Sequence, residues 1–143
     1  MYCVGFVLIA QIWSSIAYCG EIQGAAARGD LERVTALLKT DPGLVSNRDD
    51  FAATPLHLAV AYGRKEVAEL LLANKAPVNA KDKQSDTPLH YAALLVRKDL
   101  TELLLAHDAD VKATNKKGQT PLGLAVAREN KAVAEVLRQH GKP

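Results

Sequence analysis

Two histidines, His57 and His90, lie 33 residues apart in similar sequence surroundings and could suggest a metal site or an acid–base pair. Imidazole is a common zinc ligand and general base, but either role needs a carboxylate, cysteine or further histidine at a suitable spacing. Neither histidine has such a neighbour in the sequence, so we predict that both are structural. We expect His107 and His140 near helix ends, where the helix dipole favours a cation.

Two pairs of carboxylates, Glu66 with Glu69 and Asp99 with Glu102, have the i, i+3 spacing that places two acids on one helix face. Each pair has Lys or Arg beside it, which favours a solvated surface over acid–base catalysis. The sequence contains no glycine-rich phosphate loop and no Ser/His/Asp signature. We therefore predict a protein that is not an enzyme and that uses no cofactor or metal.

The composition predicts one folded domain with little overall charge. Hydrophobic residues make up 48% of the 143 residues and charged residues 24%, which is enough apolar material for a core. The formal net charge of +2 gives no general reason to expect nucleic acid or an anionic membrane as a partner. The charge is unevenly spread, however, because residues 111–143 contain seven basic and two acidic side chains.

The elements that position these side chains follow from an internal repeat of 33 residues. Thr-Pro-Leu begins at Thr54, Thr87 and Thr120, and leucine-rich segments follow at residues 67–72, 100–105 and 133–137. Thr at a helix N-cap followed by Pro at the first helical position starts a helix. The leucines supply the apolar face of a second helix, and one such pair cannot bury its own face, so the units must stack.

The repeated Thr-Pro-Leu-His-x-Ala block resembles the ankyrin repeat. This resemblance implies an all-α solenoid of about four stacked helix-turn-helix units with hairpin loops between them, and an exposed concave face that binds proteins. We expect units at about residues 21–49, 50–82, 83–115 and 116–143, the outer two acting as caps. The first unit is divergent. The resemblance also implies that His57 and His90 hydrogen-bond neighbouring loops.

The residues predicted to contact a partner lie on the loop tips and on the exposed side of the first helices, as the resemblance implies. The loops differ chemically from one another, and they offer an apolar anchor at Phe51 and basic groups at the C-terminal end. Leu94 and Leu95, with Tyr62, could form an apolar patch, although the two leucines could instead turn inward. The predicted set is Asp50, Phe51, Tyr62, Lys83, Gln84, Asp86, Leu94, Leu95, Lys116, Lys117, Gln119 and Arg128.

Several positions depart from the family pattern. Gly63 keeps the glycine between two helices, but Val96 and Glu129 replace it in the next units and would be strained if φ is positive there. Ala52 and Ser85 likewise replace the loop glycine that Gly118 retains. Pro77 stands where an acidic residue is usual. Gly123 replaces the repeated histidine in the last unit, which fits a cap.

Residues 1–20 carry no charged side chain and resemble a secretory signal peptide with small residues before a cleavage site. An uncleaved membrane anchor and a buried first helix are the alternatives. Cys3 and Cys19 both lie in this segment, so the sequence offers no disulfide framework. We expect an exported protein, periplasmic or secreted, or else a membrane-anchored one.

Three possible functions follow from these observations. The leading hypothesis is an exported, monomeric adaptor or inhibitor that binds another protein of unknown identity and no nucleic acid. The alternatives are a membrane-anchored scaffold and binding to an anionic surface or nucleic acid through the basic end, which comprises Lys112, Lys116, Lys117, Arg128 and Lys131. In the anionic alternative, binding should weaken steeply with salt.

Overall fold

The computed structural model describes residues 20–142, and the signal or anchor predicted for residues 1–20 lies almost wholly outside them. The described residues form eight α-helices and no β-strand. Their order is α1 (residues 20–28), α2 (Leu31–Thr40), α3 (Pro55–Ala61), α4 (Lys65–Ala73), α5 (Pro88–Leu94), α6 (Lys98–Ala106), α7 (Pro121–Ala127) and α8 (Lys131–His140). A short 3-10 helix, Pro42–Ser46, follows α2. The predicted all-α stack of helix pairs is confirmed.

The helices form two layers. The first helices α3, α5 and α7 pack side by side, and the second helices α4, α6 and α8 do the same, while each first helix also contacts its own second helix. Leu56 and Leu89 in the first layer and Leu71 and Leu104 in the second have no exposed surface. Leu122, the third of the repeated leucines, is only partly buried because no further unit covers α7 in the described residues.

The helix starts follow the predicted mechanism. Thr54, Thr87 and Thr120 are extended N-cap residues, and a proline occupies the first turn of each following helix. In the last unit the Thr120 hydroxyl accepts a hydrogen bond from the Gly123 N–H at 3.1 Å. The side chain thus satisfies one of the N–H groups that a helix start leaves unpaired.

In each of the four units, the turn between the two helices contains one residue in the left-handed backbone conformation. The φ angles are 77° at Gly29, 69° at Gly63, 61° at Val96 and 55° at Glu129. The sequence prediction that Val96 and Glu129 would be strained is therefore confirmed, since a β-branched residue such as Val96 is especially unfavourable there. In the loops, Ala52 and Ser85 also have positive φ, at 60° and 62°.

Glycine is retained in the two turns that an arginine of the next unit crosses. The Arg64 Nε donates to the Ala27 carbonyl at 2.9 Å, and the Arg97 Nη2 donates to the Ala61 carbonyl at 3.3 Å. Both carbonyls lie at the C-terminal end of a first helix, where a cation is favoured. A Cβ added to Gly29 would lie 2.9 Å from the Arg64 Cδ, and one added to Gly63 would lie 3.0 Å from the Arg97 Cζ.

The turn at Val96 has no such constraint because the corresponding residue of the next unit is the shorter Asn130. The Asn130 side chain instead accepts a hydrogen bond from the Val133 N–H, at 3.3 Å, and caps α8. The last unit also carries Arg138 where the two preceding units bury Leu72 and Leu105. Arg138 makes the outer side of α8 more polar than that of α4 or α6, as the predicted cap requires.

Candidate partner-binding groove

The three loop tips are built on one repeated hydrogen-bonding pattern. Asp49, Asp82 and Asn115 each accept, through a side-chain oxygen, the backbone N–H groups two and four residues later. Neighbouring tips are joined by backbone bonds of 2.9 Å, from Lys83 N–H to the Phe51 carbonyl and from Lys116 N–H to the Gln84 carbonyl. These bonds hold the three tips in a row.

The two repeated histidines connect the tips to the first helices. His57 Nδ1 accepts from the Thr54 N–H at 3.1 Å, so the ring proton is on Nε2, which donates to the Asp86 carbonyl at 3.1 Å. His90 makes the same two bonds, to the Thr87 N–H and to the Gln119 carbonyl. The predicted structural role is confirmed. Burial lowers the pKa of His57, which fits its neutral state.

The last unit lacks this connection for a physical reason. Each histidine reaches the loop of the next unit, and no further loop follows Gly123 in the described part of the chain. Among the described residues, a histidine at position 123 would have no loop carbonyl to bind. The predicted placement of the two other histidines is also confirmed, because His107 caps the end of α6 and His140 ends α8.

Tyr91, on α5, contacts the second loop and is not among the residues predicted to contact a partner. Its hydroxyl donates to Asp82 Oδ2 at 2.8 Å, and its ring packs edge-on against His57 with centroids 5.5 Å apart. Burial and the Asp82 carboxylate raise the pKa of Tyr91, so it stays protonated. One signal could have found it: Tyr91 occupies the repeat position that Leu58 and Leu124 occupy in the adjacent units.

A pocket of about 510 Å³ opens between α5, α7 and the second and third loop tips. No residue of a second helix lines it. We call this pocket the groove, and its lining residues are Gln84, Asp86, His90, Tyr91, Leu94, Asn115, Lys117, Gln119, Leu124, Ala127 and Arg128.

The structure brings half of the predicted contact residues into the groove. Those six are Gln84, Asp86, Leu94, Lys117, Gln119 and Arg128. Two of them also form hydrogen bonds that stabilise the loops. The Asn115 amide donates to Asp86 Oδ1 at 2.8 Å and to Gln119 Oε1 at 3.2 Å. Leu94 is both a groove residue and half-buried against the core, so the two interpretations of this leucine are compatible.

The other six predicted contact residues lie outside the groove and are all exposed. They are Asp50, Phe51, Tyr62, Lys83, Leu95 and Lys116. The large apolar members are well exposed, with 73% of the surface of Phe51, 58% of Tyr62 and 41% of Leu95 accessible. Tyr62 and Leu95 are the C-cap residues of α3 and α5, and Arg128 is the C-cap of α7. The three therefore occupy equivalent positions on adjacent first helices.

The carboxylate pairs have the predicted surface character. Glu66, Glu69, Asp99 and Glu102 are all exposed on second helices, and Lys98 lies 3.8 Å from Glu102. In residues 20–142 no cluster of three or more His, Cys, Asp or Glu side chains could hold a metal ion. No helix of that part of the chain is long and apolar enough to cross a membrane.

The comparison with family models decides the identity of the repeat. The model for ankyrin repeats (3 copies) matches residues 22–115 and again residues 80–143. The chain belongs to the ankyrin-repeat family. Ankyrin repeats generally mediate protein–protein interaction, and the family is typically non-catalytic.

Curated relatives match a shorter segment of the ankyrin-repeat chain. Ankyrin repeat domain-containing protein 13C of Danio rerio is 47% identical over 47 residues, which are 33% of this chain and 9% of that protein. The protein of the same name from Mus musculus is 45% identical over 47 residues, covering 33% of this chain and 8% of its own length. The match therefore spans less than a tenth of these relatives.

Proposed function

We propose that this ankyrin-repeat protein is an exported adaptor or inhibitor that binds one partner protein across its loop tips and first helices. The main support for this proposal is the exposure of Phe51, Tyr62 and Leu95 on that side of the molecule. Exposed single apolar residues are ordinary, but Tyr62 and Leu95 occupy equivalent positions on adjacent first helices, and Leu95 directly follows the groove residue Leu94. Large aromatic and aliphatic side chains of this kind are typical anchors of protein interfaces.

Val96 adds support to this proposal. It combines a φ of 61° with 57% exposure, so it neither relaxes the turn nor fills the core. Strained residues persist where another requirement outweighs their cost, and they concentrate at functional sites. An apolar contact with a partner, continuous with Leu95, would be such a requirement.

The test is quantitative capture of the partner by the full chain and by a Tyr62→Ala/Leu95→Ala variant. Loss of two interface anchors should weaken binding by about 2–4 kcal/mol, which is more than tenfold. Leu31→Ala is the control, since Leu31 is 42% exposed but lies on a second helix, α2, rather than on a loop tip or a first helix. Equal capture by the double variant and the control would refute the proposed surface.

Export is the second part of the proposal and rests on the uncharged apolar segment 1–20. It is tested by fractionating cells that express the full chain and by sequencing the N-terminus of the recovered protein. A secreted or periplasmic product that begins near residue 20 supports a cleaved signal. A membrane-bound product that retains Met1 supports the anchored scaffold instead, and a product that stays with the cytosol contradicts export.

A further inference from the structure

We propose that the groove binds an acidic segment of the partner that also carries an apolar side chain. This inference rests on the proposed function and specifies the chemistry of the partner. The groove combines two cations, Lys117 and Arg128, with an apolar wall formed by Leu94, Leu124 and Ala127.

The two cations are available to a partner. Both side chains are exposed, and neither forms an ion pair with another residue of the part of the chain that the structure describes. The one carboxylate in the groove, Asp86, is half-buried and already accepts a hydrogen bond from Asn115. The groove lining therefore carries two positive charges against one negative, and a second carboxylate, Asp82, adjoins it through its hydrogen bond from the Tyr91 hydroxyl.

The position of the cations also indicates how the segment would lie. Lys117 occupies the third loop tip, in the repeat position of Phe51 and Gln84, whereas Arg128 ends α7, in the repeat position of Tyr62 and Leu95. Both rows thus run from apolar or neutral residues to a cation at the C-terminal end. A segment placed across them would have its apolar side chain against the groove wall at Leu94 and its carboxylates between Lys117 and Arg128.

The polar residues of the groove favour a peptide over a purely electrostatic ligand. Gln84 at the second tip and Gln119 in the third loop lie in the lining, and amide side chains can pair with peptide N–H and C=O groups. Nucleic acid and anionic membranes would need a broader basic surface than two cations next to an apolar wall. The mixed lining is the kind found in specific peptide-binding sites.

The test uses the full chain and synthetic fluorescent peptides with one leucine or phenylalanine flanked by glutamates, by glutamines or by lysines. We expect the acidic peptides to bind tightest and Lys117→Glu/Arg128→Glu to weaken their binding by about tenfold. The control Lys112→Glu/Lys131→Glu changes the net charge equally outside the groove lining and should change binding by less than about threefold. An oligonucleotide and vesicles of anionic lipid are added as competitors.

Three results would overturn the inference. In the first, the protein binds all three kinds of peptide equally or binds none of them. In the second, Lys117→Glu/Arg128→Glu and the control variant weaken the binding of acidic peptides equally. In the third, the protein binds the oligonucleotide or the vesicles more tightly than the acidic peptides. The proposed function fails separately, through the Tyr62→Ala/Leu95→Ala capture experiment. If Tyr62→Ala/Leu95→Ala abolishes capture of the partner but Lys117→Glu/Arg128→Glu does not weaken it, the proposed function is supported and the preference for an acidic segment is wrong.

Discussion

The contact between Gly63 and Arg97 gives a sharp test of how the repeats are joined. Gly63 and Gly118 have nearly the same φ, 69° and 71°, so alanine should be strained equally at both. A Cβ at Gly118 would meet no atom within 4 Å, whereas a Cβ at Gly63 would lie 3.0 Å from both the Arg97 Cζ and Nη1. The two glycines therefore separate backbone strain from the loss of the arginine contact.

The expected free energies follow from these two terms. Gly118→Ala should lower the free energy of unfolding by about 1 kcal/mol, the cost of a left-handed alanine. Gly63→Ala should lower it by about 2 kcal/mol, because the displaced Arg97 also loses its hydrogen bond to the Ala61 carbonyl, worth about 1 kcal/mol. In an Arg97→Ala background, the cost of Gly63→Ala should fall to that of Gly118→Ala.

Urea unfolding followed by circular dichroism measures all four variants, and the slopes of the transitions show whether unfolding remains two-state. A coupling free energy of about 1 kcal/mol between Gly63 and Arg97 is the predicted result. Equal costs at Gly63 and Gly118, or a Gly63→Ala cost that is unchanged without Arg97, would refute the explanation for why glycine is kept at this turn.

Three further predictions concern strain, the buried histidines and pH. Val96→Gly should raise the free energy of unfolding by about 1 kcal/mol in urea titrations, since it removes strain and little buried surface; a loss of stability would show that Val96 contributes to packing. His90→Ala should lower the melting temperature through a loss of about 2–3 kcal/mol, because the Thr87 N–H and the Gln119 carbonyl lose their partner, whereas Gly123→Ala, in a unit that lacks this bridge, should raise the stability by up to about 1 kcal/mol because alanine favours the helix. The contribution of His57 should be complete above pH 6.5 and decline as the pH falls below 6.5 towards its lowered folded-state pKa, because the unfolded chain then binds the proton first. Urea midpoints at pH 7.5 and 5.5 should thus differ more for the wild type than for His57→Gln, and equal differences would contradict this assignment.

Much of the fold could be predicted from short-range sequence signals. Thr-Pro starts each of three first helices, and the repeat spacing aligns the leucines, so the helix pairs and their stacking could be predicted. The strain at Val96 could also be predicted, because its repeat equivalent is Gly63. The reason why Gly63 is a glycine could not be predicted from the sequence, since it depends on the contact that the Arg97 side chain makes with the previous unit.

The groove was less predictable than the fold. Half of the predicted contact residues line it, because they occupy repeat positions that share one side of the molecule. Tyr91 was missed because its repeat equivalents are apolar, and its role depends on a hydrogen bond to Asp82 in the preceding loop. Asp86 and Gln119 were predicted as contacts, but their bonds to Asn115 show that they also hold the loops together.

The most direct test of partner binding on this side of the molecule is site-specific photo-crosslinking. A photoreactive phenylalanine is placed at Leu95, on the first-helix layer, and in a second sample at Glu102, which is exposed on the second-helix layer of the same unit. We expect the photoreactive residue at Leu95 to crosslink to one partner protein and the one at Glu102 not to crosslink to it. Crosslinking of that partner from Glu102 but not from Leu95 would contradict this expectation.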